Sequence, residues 1–325
     1  MAINVLEFLE KSVARNGAKT ACADEKEAYS YDELADRARR AGSALIEVIG
    51  VRRPVPVFMD KGCKALAVFI GAVYAGCFYV MLDPSQPPAR LDTIIKTLEP
   101  DVMIVDEKSR AKVEKLDFNG KVLPADELMD HIIDEDELGK VREQALDIDP
   151  LYSIFTSGST GVPKGVIVSH RSVIDFIGYF TKIFNITEDD VIGNQAPFDF
   201  DVSVKDIYSA LYTGATLQII PKKFFSFPTK LLDYLEDRKV TTLVWAVSAL
   251  CIVTTLNGFE YKRPSCINKV IFSGEVMPIK HLNAWREQYP DAMFVNVYGP
   301  TEITCNCTYY IVDREFGLDE KLPMG

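Results

Sequence analysis

The sequence has few of the residues that build metal and nucleic-acid sites. It contains three histidines, and its seven cysteines lack the paired spacing of a zinc site. Acidic residues outnumber basic ones by 47 to 36, which gives a formal net charge of −11. This balance argues against a nucleic-acid partner and against an anionic membrane surface. Scattered thiols in odd number indicate a reducing compartment, so we expect a cytoplasmic protein.

Signals for export and for membrane insertion are also missing. The first residues, MAINVLEFLEKSVARNG, lack the cationic start and apolar core of a signal peptide. One stretch of eighteen uncharged residues, Ala65–Leu82, imitates a membrane span, but Gly76 divides it. We interpret it as a buried helix, Cys63–Ala75, followed by a buried strand, Cys77–Leu82, because each part alone is too short to span a bilayer. No membrane partner is expected.

Short helical and strand patterns alternate along the chain. Strands are predicted at Val102–Val105, Thr216–Ile219 and Thr242–Ala246, for example, and a helix at Ile279–Gln288. This alternation predicts an α/β fold with mostly parallel sheets and helices on both faces. At 325 residues the chain is long enough for two domains.

The segment Tyr152–His170 predicts a strand, a loop rich in hydroxyls and glycine, and a second strand. The loop offers free backbone N–H groups, hydroxyl donors and two glycines, which together can bind an anion, and Lys164 adds a cation. Its spacing fits neither a Walker A motif nor a Rossmann fingerprint. A plain surface loop is the alternative. The loop residues are Thr156, Ser157, Gly158, Ser159, Thr160 and Gly161.

Three other segments follow predicted strands, where open α/β sheets bind ligands. In PFDFDVSVKDIY, Asp201 is suited either to hold a cation or substrate ammonium or to cap the next helix. In FSGEVMP, Gly274 allows a flat ligand to approach, while Glu275 is equally suited to a local cap. In NVYGPTE, Tyr298 offers a stacking face and Glu302 a carboxylate.

Two of these motifs carry a resemblance to a known family. TSGSTGVPKG resembles the phosphate loop of adenylate-forming enzymes, and NVYGPTE is similar to a second signature of that family. The resemblance implies two stacked, mostly parallel sheets with helices on both faces. It also implies a first subdomain over 1–185, a second over 186–310, and the start of a truncated barrel subdomain over 311–325. The family's mobile C-terminal domain and its RTGD-like segment are not in this sequence, so we expect the N-terminal core of a longer enzyme.

The same resemblance implies that the cofactors are ATP and Mg²⁺. The loop and Lys164 would hold the β- and γ-phosphates, Tyr298 would stack on adenine and Asn296 would contact its amino edge. Thr301 would meet the α-phosphate and Glu302 would coordinate Mg²⁺. Thr156, Lys164, Thr301 and Glu302 are the expected catalytic residues. The full nucleotide-binding set is Thr156, Ser157, Gly158, Ser159, Thr160, Gly161, Lys164, Gly274, Glu275, Asn296, Val297, Tyr298, Gly299 and Thr301.

In the family members that activate amino acids, the residue at the position of Asp201 pairs with the α-ammonium of the substrate. The implied reaction converts ATP and an amino acid to aminoacyl-AMP and pyrophosphate, and a phosphopantetheinyl carrier protein receives the product. The alternatives are an acyl- or aryl-acid CoA synthetase core and a non-catalytic nucleotide-binding module. The implied substrate pocket consists of Phe200, Asp201, Val202, Lys205, Trp245, Ile271, Ser273, Val297, Cys305 and Asn306.

Two features of this pocket bear on the substrate. Lys205 would be a buried ammonium, which suggests a Glu-, Asp- or amide-like substrate; alternatively it extends outward or pairs with Asp206 or another protein acid. The segments FDFDVSVKDIY and SGEVMP are similar to those of D-alanine–carrier protein ligases. Ser273 stands where those ligases have cysteine, and Trp245, if it lines the pocket, favours a small substrate.

Overall fold

The structure, a computed structural model, describes residues 2–157 and 163–325. The chain folds into two compact units. The first comprises the residues up to Thr20 together with Tyr29–Tyr179, and the second comprises Ala21–Ala28 together with Phe180–Gly325. The three-part division expected from the sequence, 1–185, 186–310 and 311–325, stays a prediction.

The strands are short and most of their residues are buried. In chain order they are β1 (Thr20–Ala23), β2 (Ala28–Ser30), β3 (Pro54–Phe58), β4 (Phe78–Leu82), β5 (Val102–Val105), β6 (Lys121–Pro124), β7 (Pro150–Ser157), β8 (Pro163–Ser169), β9 (Val191–Asn194), β10 (Thr216–Ile219), β11 (Thr242–Ala246), β12 (Lys269–Ser273), β13 (Met293–Tyr298) and β14 (Thr308–Ile311).

The helices fall mainly between successive strands. They are α1 (Leu6–Asn16), α2 (Tyr31–Ile46), α3 (Cys63–Tyr74), α4 (Pro88–Leu98), α5 (Glu107–Val113), α6 (Ala125–Met129), α7 (Glu135–Glu143), α8 (His170–Ile183), α9 (Val202–Thr213), α10 (Pro228–Asp237), α11 (Val247–Thr255), α12 (Gly258–Tyr261) and α13 (Ile279–Gln288). Short 3-10 turns lie at Lys222–Ser226 and Thr301–Ile303.

Each unit contains one sheet. In the first unit the strand order is β6-β5-β3-β4-β7-β8, and β7 and β8 form its antiparallel pair. The other sheet has the order β14-β13-β12-β11-β9-β10-β1-β2, and its strands belong to the second unit except for Thr20 of β1 and the last two residues of β2. There the strands from β13 to β1 are parallel, and β14 is antiparallel to β13. The predicted α/β class with mostly parallel sheets is confirmed.

The uncharged stretch of the sequence forms α3 and β4, within a residue or two of the predicted bounds. Every residue of β4 is buried, and α3 is buried along nearly its whole length. An element that is apolar all round is stable in water only inside a core, and this explains the absence of charge. No helix in residues 2–157 and 163–325 is long and apolar enough to cross a bilayer.

Helix α2 begins two residues earlier than it would with Asp32 as its N-cap, which is the cap that we expected from the sequence. The cap is Ser30. The Ser30 hydroxyl accepts a hydrogen bond from the backbone N–H of Glu33 at 3.1 Å, and the Glu33 carboxylate accepts one from the backbone N–H of Ser30 at 2.8 Å. This reciprocal capping box satisfies two N–H groups at the helix start, whereas a cap at Asp32 would satisfy one.

A buried ion pair closes the amino-terminal end of the second sheet. Asp190 precedes β9, and its carboxylate accepts hydrogen bonds from Lys269 Nζ at 2.9 and 3.1 Å. The hydroxyls of Thr241 and Thr242 also donate to Asp190, at 2.7 and 2.9 Å. These hydrogen bonds and the lysine charge lower the pKa of Asp190 although burial alone would raise it. The pair is internally complete and joins the starts of three adjacent strands.

Candidate active site

The first unit positions two of the predicted nucleotide-binding side chains on one hairpin. In the β7–β8 pair Thr156 lies opposite Lys164, and Ser157 lies opposite Pro163. The predictions for Gly158, Ser159, Thr160 and Gly161 fall outside the described residues. Lys164 is exposed to solvent and Thr156 is half-buried. An exposed ammonium opposite a hydroxyl is suited to contact an anion.

An arginine that we did not predict lies next to this hairpin. Arg90, on α4, donates from Nη2 to the Phe155 carbonyl at 3.1 Å and from Nε to Gln86 Oε1 at 3.0 Å. It therefore places a second cation beside the residue that precedes Thr156. No sequence pattern indicates this contact, because the partner is a backbone carbonyl 65 residues away.

In the second unit the site is built at the carboxyl ends of parallel strands. Strands β11, β12 and β13 are in register, with Val244 opposite Ile271 and Ile271 opposite Val295. Because side chains alternate along a strand, this register puts one set of predicted pocket residues on a single sheet face. That set is Ile271, Ser273 and Val297.

The structure does not bring Trp245 together with that set. Trp245 lies opposite Phe272, and both side chains belong to the hydrophobic cluster that α10, α11 and α13 form on the other face. The indole N–H donates to the Gly193 carbonyl at 2.8 Å, and the ring packs edge-to-face against Phe225. A fully buried indole with its N–H satisfied in this way is a core residue.

Asp201 immediately precedes α9 but does not cap it. The residue has helical dihedral angles, φ −63° and ψ −21°, and its side chain makes no capping hydrogen bond. The hydroxyl of Ser203, two residues further along, donates to the Phe200 carbonyl at 2.7 Å. Burial raises the pKa of the Asp201 carboxyl, and the Lys205 ammonium and Thr301 hydroxyl partly oppose that shift. The side chain is half-buried, and it accepts hydrogen bonds from the Thr301 hydroxyl and from the backbone N–H groups of Asp201 and Val202 without serving as an N-cap. Within the described residues it forms no ion pair, so it remains able to accept an ammonium.

Lys205, one turn further along α9, is buried with 1% of its surface exposed. Its ammonium donates to Asn306 Oδ1 at 2.7 Å. Asp206, which we had considered as its partner, accepts a hydrogen bond from Asn194 Nδ2 at 2.7 Å instead. Burial lowers the pKa of Lys205, while Cys305, Asp206 and Asp201 oppose the shift from a distance. The Lys205 side chain therefore neither extends outward to solvent nor forms an ion pair with Asp206.

The segment from Gly299 to Asn306 folds back against the start of α9. The Cys305 thiol donates to the Asp201 carbonyl at 3.2 Å. A Cβ atom at Gly299 would lie 2.5 Å from the Cα of Asn306, so this close approach requires glycine. Thr304 and Cys305 both have left-handed backbones, with φ of 67° and 71°. Through this turn the structure brings Asp201, Lys205, Cys305 and Asn306 together.

The residues predicted to hold nucleotide and metal in this unit are mostly exposed. Tyr298 is 49% exposed and Glu302 is also exposed, whereas the Asn296 amide is buried and donates to the Pro323 carbonyl at 2.8 Å. Mg²⁺ commonly binds through one or two carboxylates and completes its shell with water and substrate phosphates. An accessible Glu302 fits that requirement. No cluster of three metal-binding side chains occurs in the described part of the chain.

Four further predicted residues are Gly274, Glu275, Phe200 and Val202. Gly274 has φ +94°, with open space around its Cβ position, so glycine is needed there for backbone conformation and not for lack of room. Glu275 is exposed beside it. The Phe200 ring is 57% exposed and Val202 is half-buried. These side chains are accessible to a ligand.

A family model described as AMP-binding enzyme matches residues 9–324. The chain belongs to this family. AMP-binding enzymes similar to it include the D-alanine–D-alanyl carrier protein ligase of Listeria monocytogenes, which is 31% identical over 91% of this chain and 58% of its own length. The L-proline–[L-prolyl-carrier protein] ligase of Streptomyces coelicolor is 30% identical over 96% of this chain and 62% of its own length. The chain therefore spans about three fifths of these relatives.

The fold is shared with a solved AMP-binding relative. The nonribosomal peptide synthetase FmoA3, in its α-methyl-L-serine-AMP bound form, superposes with a TM-score of 0.87 at 25% identity. The match covers 100% of this chain and 36% of that one. The same synthetase in an AMPPNP bound form gives a TM-score of 0.88.

Proposed function

We propose that this chain activates an amino acid with ATP, forming aminoacyl-AMP and pyrophosphate, and that a phosphopantetheinyl carrier protein receives the aminoacyl group. The observation that carries this proposal is the Asp201 carboxylate, which is half-buried at a helix start, has a pKa raised by burial and makes no capping hydrogen bond. An acyl- or aryl-acid substrate has no ammonium to bind there. The carrier-protein ligases among the relatives support the same assignment.

In the proposed reaction, an oxygen of the amino acid carboxylate attacks the α-phosphorus of ATP. The new bond is the acyl–phosphate link, and the bond that breaks joins the α-phosphorus to the oxygen bridging to the β-phosphate. Both reactants are anionic, so the protein must align them and neutralise charge. Asp201 would hold the α-ammonium, and Lys164 would contribute a cation for the phosphates. The carrier thiol then displaces AMP to give a thioester.

The nucleotide and metal roles fall to side chains of the second unit, of which Tyr298 and Glu302 are exposed. Tyr298 would stack on the adenine, and the Oδ1 atom of Asn296 would accept from the adenine amino group, since its Nδ2 atom already donates to Pro323. Glu302 would bind Mg²⁺, which when present neutralises phosphate charge. Thr301 would contribute a hydroxyl to the α-phosphate.

The proposal can be tested by thermal shift and calorimetry with non-hydrolysable adenosine sulfamates. Each aminoacyl analogue (D-alanyl, L-prolyl, L-glutamyl) is compared with its counterpart lacking the α-amine. We expect at least one aminoacyl analogue to bind well above its des-amino counterpart. Replacing Asp201 by Asn should remove that difference, a loss of about 2–5 kcal/mol for one partner of a buried charge pair.

Glu302→Gln serves as the matched control, because it should weaken the effect of Mg²⁺ on ATP binding and leave the amine preference intact. Equal binding of aminoacyl and des-amino analogues would contradict an amino-acid substrate and favour an acid-activating enzyme. Absence of any ATP-dependent stabilisation in the wild type would favour a chain that has no catalytic role.

A further inference from the structure

The second unit buries a lysine whose hydrogen-bonding capacity is only partly used. An ammonium has three N–H donors. Lys205 Nζ gives one of them to Asn306 Oδ1 at 2.7 Å, and the side chain is 1% exposed. Within the described ranges, 2–157 and 163–325, no carboxylate forms an ion pair with it. The side chain lies too deep for bulk water to reach it, so the remaining donors need an acceptor inside the protein, which a bound ligand can supply.

The acidic residues nearest to Lys205 have other contacts. Asp206 accepts a hydrogen bond from Asn194, with 2.7 Å between Oδ2 and Nδ2. The Asp201 carboxylate accepts a hydrogen bond from the Thr301 hydroxyl, and the Cys305 thiol donates one to the Asp201 carbonyl. These groups attract Lys205 electrostatically, yet burial still lowers its pKa, so their attraction does not replace a direct counter-ion.

The spacing of the two charged residues suggests what the counter-ion is. Asp201 and Lys205 are four residues apart at the start of α9, so their side chains lie on one side of the helix. The other predicted pocket residues on the neighbouring sheet face, Ile271, Ser273 and Val297, carry no charge. A molecule that places an ammonium on Asp201 therefore has one cation within reach of its side chain.

We propose that the substrate is an acidic amino acid whose side-chain carboxylate pairs with Lys205. The inference rests on the function proposed above, in which Asp201 binds the α-ammonium. The pocket would then recognise both ends of the substrate by opposite charges, and Asn306 would hold the Lys205 ammonium in place when the pocket is empty. Lys205 is in this view a specificity-determining residue.

The test uses the whole chain and four aminoacyl-adenosine sulfamates: L-glutamyl, L-aspartyl, L-glutaminyl and L-norvalyl. Their dissociation constants are measured with the wild type, Lys205→Met and the surface control Lys223→Met. We expect glutamyl or aspartyl to bind about a hundredfold more tightly than norvalyl in the wild type and in Lys223→Met. Lys205→Met should abolish this preference while norvalyl binding stays unchanged or improves. Should Lys205→Met not fold, Lys205→Gln, which keeps a donor for Asn306, provides the same comparison.

Each result decides one of the two proposals. A wild-type preference for norvalyl or glutaminyl, or an acidic preference that persists in Lys205→Met, would overturn the assignment of Lys205. If such analogues still bind better than their des-amino counterparts, the amino-acid function stands and the acidic substrate alone is rejected. If no analogue gains from its α-amine, the proposed function fails, and with it this inference.

Discussion

The second unit contains two buried lysines that differ in what surrounds them. Lys269 forms a complete pair with Asp190, and two threonine hydroxyls satisfy the same carboxylate. Lys205, at the other end of the sheet, donates to one neutral amide oxygen. Both lysines are desolvated, but among contacts between described residues only Lys269 has its charge balanced by a carboxylate. The comparison teaches that burial does not by itself distinguish structure from function, whereas the completeness of the contacts does.

The largest effect is expected when the complete pair is broken. Replacing Asp190 by Ala leaves the Lys269 ammonium and two hydroxyls buried without their acceptor. We expect a loss of about 3–5 kcal/mol in the free energy of unfolding, measured by urea denaturation. Asp190→Asn, which keeps the shape and some hydrogen bonds, should lose less. An Asp190→Ala protein as stable as the wild type would contradict the idea that this pair is structural.

A smaller effect, an increase in stability, is expected when Lys205 is given a carboxylate partner. Replacing Asn306 by Asp would give Lys205 a carboxylate at the position where it now meets an amide oxygen. We expect the free energy of unfolding to rise by about 2 kcal/mol, as for a charge-assisted hydrogen bond. Asn306→Ala is the control and should not stabilise the protein. A destabilised Asn306→Asp variant would show that Lys205 already has its counter-ion.

The smallest effect is a difference in how stability depends on pH. The pKa of Asp190 is lowered from 3.8, so its stabilisation is present above that pH and is lost as the pH falls below it. The pKa of Lys205 is lowered from 10.5, so the folded state binds fewer protons than the unfolded one just below that pH. The contribution of Lys205 to the free energy of unfolding should therefore rise as the pH approaches 10.5.

The check is a pair of difference profiles from urea denaturation. The difference between wild type and Asp190→Asn should shrink below pH 4, and the difference between wild type and Lys205→Met should change only on the alkaline side. For a single proton the slope cannot exceed about 1.4 kcal/mol per pH unit. Two profiles that change over the same pH range would remove the distinction between the lysines.

Most of the fold could be predicted because its signals are local. The bounds of β5, β10, β11 and α13 match the sequence prediction, since apolar runs between turn residues define them. Strand β6 was not predicted, and its burial explains why: its first two residues are exposed, so no apolar alternation marks it. The cap of α2 was misplaced because Asp32 and Ser30 are both good cap residues, and only the reciprocal bond with Glu33 selects one.

The candidate site was predictable in part. The motifs indicated which segments carry it, but the partners of their side chains depend on contacts far apart in sequence. Lys205 and Asn306 are 101 residues apart, and local sequence does not encode such a contact. The orientation of Trp245 depends on its position in the strand register, because a shift of one residue moves a side chain to the other face. When most residues of a strand are apolar, the sequence does not show which side chains lie on the core face and which on the opposite face.

The left-handed pair Thr304–Cys305 has a consequence for redesign. A β-branched residue rarely adopts φ near 67°, so this turn is maintained by its surroundings, with Gly299 packed against the next residue. The strand β14 begins only afterwards, and its pairing with β13 starts at Thr308. Position 305 therefore accepts chiefly residues that tolerate a left-handed backbone, such as glycine, asparagine or aspartate. Position 306 lies outside the left-handed pair and can be varied more freely in tests of the proposed pocket.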